Sequence, residues 1–172
     1  KLFFIAFCNI KSAGSFQIDC QRHVENMWSV GINQAFTLLF VKNKGIICSI
    51  DKVRKEICET NNPDSLSKWC ENDLSNDFFA DSSSAVNFYA KIALWANNSS
   101  HFNQAAIDDF LTTDLADPWL IAYAKENNLT IVTHEISQPQ RKNRIKIPEP
   151  CIHFGVKYLS PIEMFRELGE SF

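Results

Sequence analysis

The sequence predicts an α/β protein in which a mostly parallel sheet lies between two layers of helices. Short apolar runs rich in β-branched residues alternate along the chain with longer segments of helical period, an alternation typical of such folds. With 172 residues, the chain is long enough to bury a core without disulfides, so we predict one domain over residues 1–172. The composition, 45% hydrophobic and 22% charged, is that of an ordinary globular protein.

The beginning of the chain is expected to contribute two buried strands. Residues 2–7 form a short continuous apolar run, which is typical of a strand buried on both faces. Residues 11–30 have no clear period, whereas residues 32–41 are apolar enough for a helix that the glycine of residues 43–45 would end. The second predicted strand follows at residues 46–50.

Helices are expected in the middle of the chain, because apolar residues recur there three and four positions apart. Phe88, Ile92 and Trp95 show this spacing most clearly. The asparagines and proline of residues 61–64 mark a turn between the first two helices. The predicted helices are residues 51–58, with either Ser49 or Asp51 at the start, 65–74, 82–96 and 101–111.

The last third of the chain returns to strands alternating with helices. A helix is predicted to start at Asp117, whose side chain would cap it, with a proline in the first helical position. A strand over residues 129–133, a basic loop over 138–150 and a short strand over 157–159 follow. The Ser-Pro-Ile-Glu sequence of residues 160–163 is a capping box that opens the terminal helix.

Four carboxylates are expected near junctions of strands and helices. Asp117 starts a helix with Asp114 just before it, Glu135 follows a strand, and Glu56 lies near an apolar helix face. Ligands of open α/β sheets bind beyond the carboxyl ends of the strands, and clustered carboxylates repel one another unless a cation joins them. Oxygen ligands of this kind suit Mg²⁺. Taken singly, none of the four outweighs its ordinary explanation, which is a helix cap for Asp117, a loop residue for Asp114 and a solvated side chain for Glu56 and Glu135.

A basic segment follows these acids. Arg141, Lys142, Arg144 and Lys146 place four cations within six residues, which would attract a phosphate backbone; the alternative is a solvated charged loop. His134 is either a phosphate contact or a surface histidine. The net charge of −3 indicates no global basic field, but a local basic stripe beside an acidic site would not show in it.

The cysteines and the first residues support two further alternatives. Cys20, His23, Cys151 and His153 are of the types that bind zinc, although the spacing of the second pair is short. Residues 1–15 have features of a signal peptide, in which case the six cysteines would form disulfides in a secreted protein. A buried first strand explains the same residues. We expect a reduced, cytoplasmic protein without a membrane span, because no run approaches about 18 apolar residues.

Three blocks of the sequence form a specific combination. They are CSIDKVRKEI, ADPWLIAYAKENNLTIVTHE and RIKIPEPCIHFGVKYLSPIEMF, and they cover the chain from about Gly45 to its end. This combination resembles a bacterial branch of the PIN-like domain family. The resemblance implies a three-layer α/β/α fold and a Mg²⁺- or Mn²⁺-dependent ribonuclease with a ring of three or four acidic residues. Many such domains are toxins of toxin–antitoxin pairs, often as homodimers.

The resemblance implies three metal ligands on this chain. Glu56 matches the second family acid, Asp117 the third and Glu135 the fourth. Thr133 matches the small hydroxyl residue that precedes the fourth acid, and we expect it to contact RNA together with His134 and the basic segment.

The position of the first family acid is different in this chain. Phe7 stands where the family has an acid after the first strand, and Asp19 is the nearest alternative. Three explanations stay open: Asp19 supplies the missing ligand, the chain has lost it, or the N-terminal segment is divergent, rearranged or wrongly read. We therefore predict a cytoplasmic PIN-type ribonuclease, the toxin partner of an antitoxin protein. The alternative is a PIN-like interaction module that has lost catalysis with its first acid.

Overall fold

The computed structural model describes residues 5–7, 47–59, 65–112 and 115–168, and the fold is given for these residues. It is a mixed α/β fold, which agrees with the coarse class predicted from the sequence. The predicted helix over residues 32–41 lies outside the described residues, as do Asp19 and Asp114.

Strands and helices alternate through most of the described chain. The strands are β1 (Ile5–Phe7), β2 (Ile47–Ile50), β3 (Phe79–Ala80), β4 (Thr130–Val132) and β5 (Tyr158–Leu159). The helices are α1 (Asp51–Cys58), α2 (Ser65–Asn72), α3 (Val86–Asn97), α4 (Gln104–Phe110), α5 (Ala116–Glu126), α6 (Pro148–Phe154) and α7 (Pro161–Glu167). Single 3₁₀ turns precede β3 and α3, at Asn76–Phe78 and Ser82–Ala85.

The sheet has the strand order β3-β2-β1-β4-β5, with the first strand of the chain in the centre. β1 is antiparallel to both β2 and β4, whereas β2 pairs in parallel with β3, and β4 with β5. The four outer strands therefore run in one direction and the central strand in the other. The sequence predicted a mostly parallel sheet. The central strand departs from this because its direction is set by pairing with segments far away in the chain.

Two local predictions are confirmed closely. In α1, Val53 and Ile57 are buried on one face, as their spacing predicts. The capping box of α7 is complete, since the Ser160 hydroxyl accepts a hydrogen bond from the backbone N–H of Glu163, and the Glu163 carboxylate accepts one from the backbone N–H of Ser160.

The start of α5 differs from the prediction by one position. The helix begins at Ala116 with the extended residue Leu115 as its N-cap, so Asp117 is the second helical residue and Pro118 the third. The prediction that Asp117 is the capping residue is wrong, because Ala116 already has helical backbone geometry and the N-cap position is occupied by Leu115. Asp117 is thus free for another role.

The helix α6 begins inside the loop that the sequence predicted over residues 138–150. Pro148 and Pro150 both fall in its first turn, where backbone N–H groups have no acceptor within the helix, so neither proline removes a helical hydrogen bond. Gly155 ends the helix in the left-handed region, with φ of 62°, a conformation that an L side chain rarely adopts.

The core lies between the sheet and the helices α1, α3 and α5. Ile50, Ile92, Leu120 and Ile131 are fully buried there. Trp119 packs at the edge of this core and stacks on Tyr89 with ring centroids 4.2 Å apart, as expected for a structural tryptophan. Among the described residues, no helix has the length and apolar character needed to cross a bilayer.

Candidate functional site

Three of the predicted acids lie together where α1, α5 and the end of β4 meet. Glu56 lies in the last turn of α1, Asp117 in the first turn of α5, and Glu135 just after β4. The two helices pack against each other. The negative charges of Glu135 and Glu56 both act on Asp117 and raise its pKa. We refer to these three residues as the acidic cluster.

Asp117 is a buried member of this cluster, and its carboxylate makes no hydrogen bond with the described residues. It is only 6% exposed, and no hydrogen bond among the described residues reaches its carboxylate. Burial raises the pKa of Asp117 from its ordinary value of 3.8 to about 7, with further contributions from Glu135 and Glu56, while Arg144 opposes the shift. A cation beside Asp117 would favour the ionised carboxylate and remove this penalty.

Glu135 is buried to a similar degree, but its carboxylate is satisfied. The residue is 8% exposed, and its Oε2 accepts a hydrogen bond of 2.9 Å from the backbone N–H of Ile147. Its Oε1 lies 3.3 Å from a guanidinium nitrogen of Arg144. Glu135 therefore holds the end of the basic segment against the cluster, and a carboxylate with about four acceptor sites keeps capacity for a further ligand.

Thr133 positions Glu135. The Thr133 hydroxyl accepts a hydrogen bond of 3.0 Å from the backbone N–H of Glu135, which closes a tight turn directly after β4. We predicted that Thr133 contacts RNA, but in this structure it is 2% exposed and its hydroxyl serves this turn.

Glu56 lies at the start of α5. The residue is half-buried, and its Oε2 accepts a hydrogen bond of 3.4 Å from the backbone N–H of Ala116. The first N–H groups of a helix have no intrahelical acceptor, and the helix dipole is positive there, so this end of α5 stabilises a carboxylate. The packing of α1 on α5 thus brings Glu56 close to Asp117.

The predicted RNA-binding side chains lie mostly in solvent. Arg144 connects the basic segment with the acidic cluster, because its side chain is 51% exposed and also contacts Glu135. The other members are the exposed His134, Arg141 and Lys142 and the half-buried Lys146.

The backbone of the basic segment is held by hydrogen bonds. The backbone N–H of Asn103 donates to the Lys142 carbonyl at 2.9 Å, and a ring nitrogen of His101 lies 3.1 Å from the Arg141 carbonyl. At the beginning of the segment, the backbone N–H of Gln138 donates to the Glu149 carboxylate at 2.7 Å. The segment is therefore a folded loop, and its Arg144 side chain contacts Glu135 of the acidic cluster.

Across residues 5–7, 47–59, 65–112 and 115–168, no group of three or more His, Cys, Asp or Glu side chains is arranged to hold a metal ion. A hard cation needs fewer ligands from the protein. Mg²⁺ usually binds through one or two carboxylates and keeps several waters. Asp117 offers a buried carboxylate that makes no hydrogen bond with the described residues, and Glu56 and Glu135 lie near it. Oxygen ligands of this kind suit Mg²⁺ or Mn²⁺.

Sequence reasoning missed two contributors to the cluster. Asp109 on α4 also raises the pKa of Asp117, although its position within the helix gives no sign of this. The backbone N–H of Ile147 holds Glu135, and no side-chain pattern reveals a backbone donor.

The zinc alternative finds no support in the described part of the chain. Cys151 is fully buried in α6, whereas His153 is exposed and its ring packs against Trp95. Cys20 and His23 lie outside the described residues. The cysteines that the structure describes, Cys48, Cys58, Cys70 and Cys151, form no disulfide with one another.

A family model described as Domain of unknown function (DUF4411) matches residues 24–172 of the chain. Neither the curated proteins nor the solved structures contain a match to the chain.

Proposed function

The chain belongs to this family of unknown function, and we propose from its site that it is a Mg²⁺- or Mn²⁺-dependent ribonuclease of PIN type. The observation that carries the proposal is Asp117, a carboxylate that is 6% exposed, makes no hydrogen bond among the described residues and lies beside two further acids. Such an arrangement is costly in the metal-free protein and favourable with a cation.

The three acids would have different tasks. Asp117 would bind the cation directly, while Glu56, at the start of α5, and Glu135, fixed by the Ile147 N–H, would bind the cation or orient its waters. When bound, the metal ion supplies a water of lowered pKa and positive charge opposite the phosphate.

The basic segment would hold the RNA backbone. Arg144 is the member best placed to connect RNA with the acids, because its half-exposed guanidinium already contacts Glu135 at 3.3 Å. Arg141 and Lys142 are exposed on the same folded loop. Phosphate contacts of this kind position RNA without reading its sequence.

The wider proposal follows the sequence resemblance. It comprises a three-layer PIN-like arrangement around the mixed sheet and a cytoplasmic toxin that an antitoxin protein restrains, with homodimers as in many relatives of that family. The mixed α/β fold is compatible with this proposal.

An RNA cleavage assay tests the proposed activity. Wild-type protein should cleave RNA with Mg²⁺ or Mn²⁺ and lose this activity in EDTA. Asp117→Asn should lower the rate at least about 100-fold, because electrostatic groups at the reacting phosphate typically contribute that much. Glu126→Gln, at the exposed end of the same helix, is the matched control and should retain wild-type activity. Cleavage that survives both EDTA and Asp117→Asn contradicts the proposal.

A PIN-like interaction module without catalysis is the second candidate. Two observations favour it: Phe7 ends β1 where the resemblance places the first acid, and both oxygens of Glu135 are already engaged. Titration calorimetry with Mn²⁺ separates the two candidates. A ribonuclease should bind Mn²⁺ in a manner that depends on Glu56 and Asp117, whereas an inactive module should show no such binding.

A further inference from the structure

Two thiols face each other between α1 and α2. The Sγ atoms of Cys58 and Cys70 are 3.2 Å apart, and the two residues are twelve positions apart in the chain. Because a disulfide bond is about 2.05 Å long, this pair is two reduced thiols in contact. Cys58 is partly exposed at the end of α1, whereas Cys70 is fully buried in α2.

The surrounding contacts hold the two helices in this position. The Ser67 hydroxyl donates a hydrogen bond of 2.8 Å to the carbonyl of Ile57, so α2 is fixed to the last turn of α1 beside the cysteines. Ile57 and Cys70 belong to the same buried core. Bond formation requires the sulfur atoms to approach by only about 1 Å, which side-chain rotation and a small helix shift can supply.

We propose that Cys58 and Cys70 form a reversible regulatory disulfide, with a small-molecule disulfide of the glutathione type as the oxidant. This modification site does not require the proposed ribonuclease activity. The disulfide would make the protein respond to the redox state of its surroundings. The partly exposed thiol of Cys58 reacts first with the oxidant, and the buried thiol of Cys70 then completes the bond.

The reaction balances with this oxidant alone. The Cys58 thiolate attacks one sulfur of the small disulfide, and the first small thiolate leaves. Cys70 then attacks the Cys58 sulfur of the mixed disulfide and gives up its proton, while the second small thiol leaves with both electrons of the former bond. The protein dithiol is oxidised to a disulfide, and the small disulfide is reduced to two thiols.

The environments of the thiols fit this order of events. Burial and the neighbouring Cys58 raise the pKa of Cys70 to about 12, so Cys70 remains a thiol until Cys58 has reacted. Cys151 provides a contrast, because it is equally buried but makes no sulfur contact with another described cysteine.

The new bond would tie the last turn of α1 to α2 and close the loop between them. A disulfide across a loop of this length lowers the entropy of the unfolded chain and should raise Tm by about 5 °C in a protein of this size. Glu56 lies in the tied turn, so the acidic cluster would share in the restraint.

Incubation of the full chain in oxidised or reduced glutathione tests the proposal. Samples are alkylated in denaturant and digested, and the peptides are identified by mass spectrometry, while thermal unfolding gives Tm. The oxidised sample should contain a linked Cys58–Cys70 peptide that dithiothreitol removes, and its Tm should be higher by about 5 °C.

Two variants make the outcome specific. Cys58→Ser, at the partly exposed position, should abolish both the linked peptide and the Tm difference between buffers, whereas Cys48→Ser should retain both. The proposal is overturned if Cys58 is recovered only as its glutathione adduct with Cys70 unmodified, or if Cys58 pairs with a different cysteine. It is also overturned if oxidation leaves Tm unchanged.

Discussion

Asp117 and Glu135 are buried almost equally, yet their carboxylates differ in hydrogen bonding. Asp117 is 6% exposed and makes no hydrogen bond among the described residues, whereas Glu135 is 8% exposed and has a donor at each oxygen. Burial alone therefore does not decide whether a carboxylate stabilises a fold. The decisive quantity is the number of donors that replace lost water.

The difference arises from the local course of the chain around each residue. After Glu135, a loop returns and places the backbone N–H of Ile147 and the side chain of Arg144 against its carboxylate. Asp117 lies inside a helix, and its neighbours across the cluster include Glu56 and Glu135, which are acids. One carboxylate thus fastens a loop, whereas the other has acidic neighbours and makes no hydrogen bond with the described residues.

Of three substitutions that test this comparison, Asp117→Asn in EDTA should change the free energy of unfolding most. The folded protein binds the Asp117 proton more tightly than the unfolded chain does, because the pKa of Asp117 rises from 3.8 to about 7 on folding. The free energy of unfolding of the wild type therefore falls as the pH rises between these values and levels off above about 7. Asparagine does not titrate. Relative to wild type, the variant should gain about 3 kcal/mol between pH 5 and pH 8.

Urea unfolding at several pH values measures this gain. Glu126→Gln is again the control, because its side chain is exposed and its stability should follow that of the wild type at each pH. Parallel pH profiles of wild type and Asp117→Asn would show that Asp117 has no unfavourable burial, and the contrast with Glu135 would then disappear. A metal-binding Asp117 also predicts that Mg²⁺ stabilises the wild type above pH 7 and leaves Asp117→Asn unchanged.

Glu135→Ala should have the next largest effect on the free energy of unfolding, and it should lower the stability instead of raising it. It leaves the buried N–H of Ile147 without an acceptor and removes the partner of Arg144, which should lower the free energy of unfolding by about 2 kcal/mol. Glu135→Gln keeps an acceptor oxygen and should lose less than half as much. The urea midpoints of the two variants at pH 7 provide the comparison, and equal losses would mean that the Ile147 hydrogen bond contributes nothing.

Thr133→Val should have the smallest effect of the three. It keeps the size of the buried side chain but removes the oxygen that accepts the backbone N–H of Glu135, at an expected loss of about 1 kcal/mol. Thr133→Ser retains the oxygen and serves as the control. If Thr133→Val costs no more stability than Thr133→Ser, the hydrogen bond that the hydroxyl accepts in this turn does not contribute the predicted stability.

The sequence predicted the elements that local interactions determine. The helix at residues 51–58 follows from the spacing of Val53 and Ile57, and the terminal helix from the capping box that Ser160 begins. These signals lie within a few residues of the element they specify.

The features that were missed depend on distant partners or on exceptions to local rules. The two prolines of α6 suggested a loop, since only their placement in the first turn makes them compatible with a helix. In the candidate site, the sequence identified Glu56, Asp117 and Glu135 but not their unequal hydrogen bonding. The Ile147 donor lies twelve residues beyond Glu135, and Asp109 reaches the cluster only through the packing of α4.

The central position of β1 has a consequence for synthesis of the chain on the ribosome. β1 and β2 are complete at residue 50, but the strand that covers the other side of β1 ends only at residue 132. At about 5 to 20 residues per second, this interval lasts roughly 4 to 16 seconds. During that time the nascent chain presents an unpaired strand edge that can recruit other chains, so its yield in cells should respond to chaperone supply.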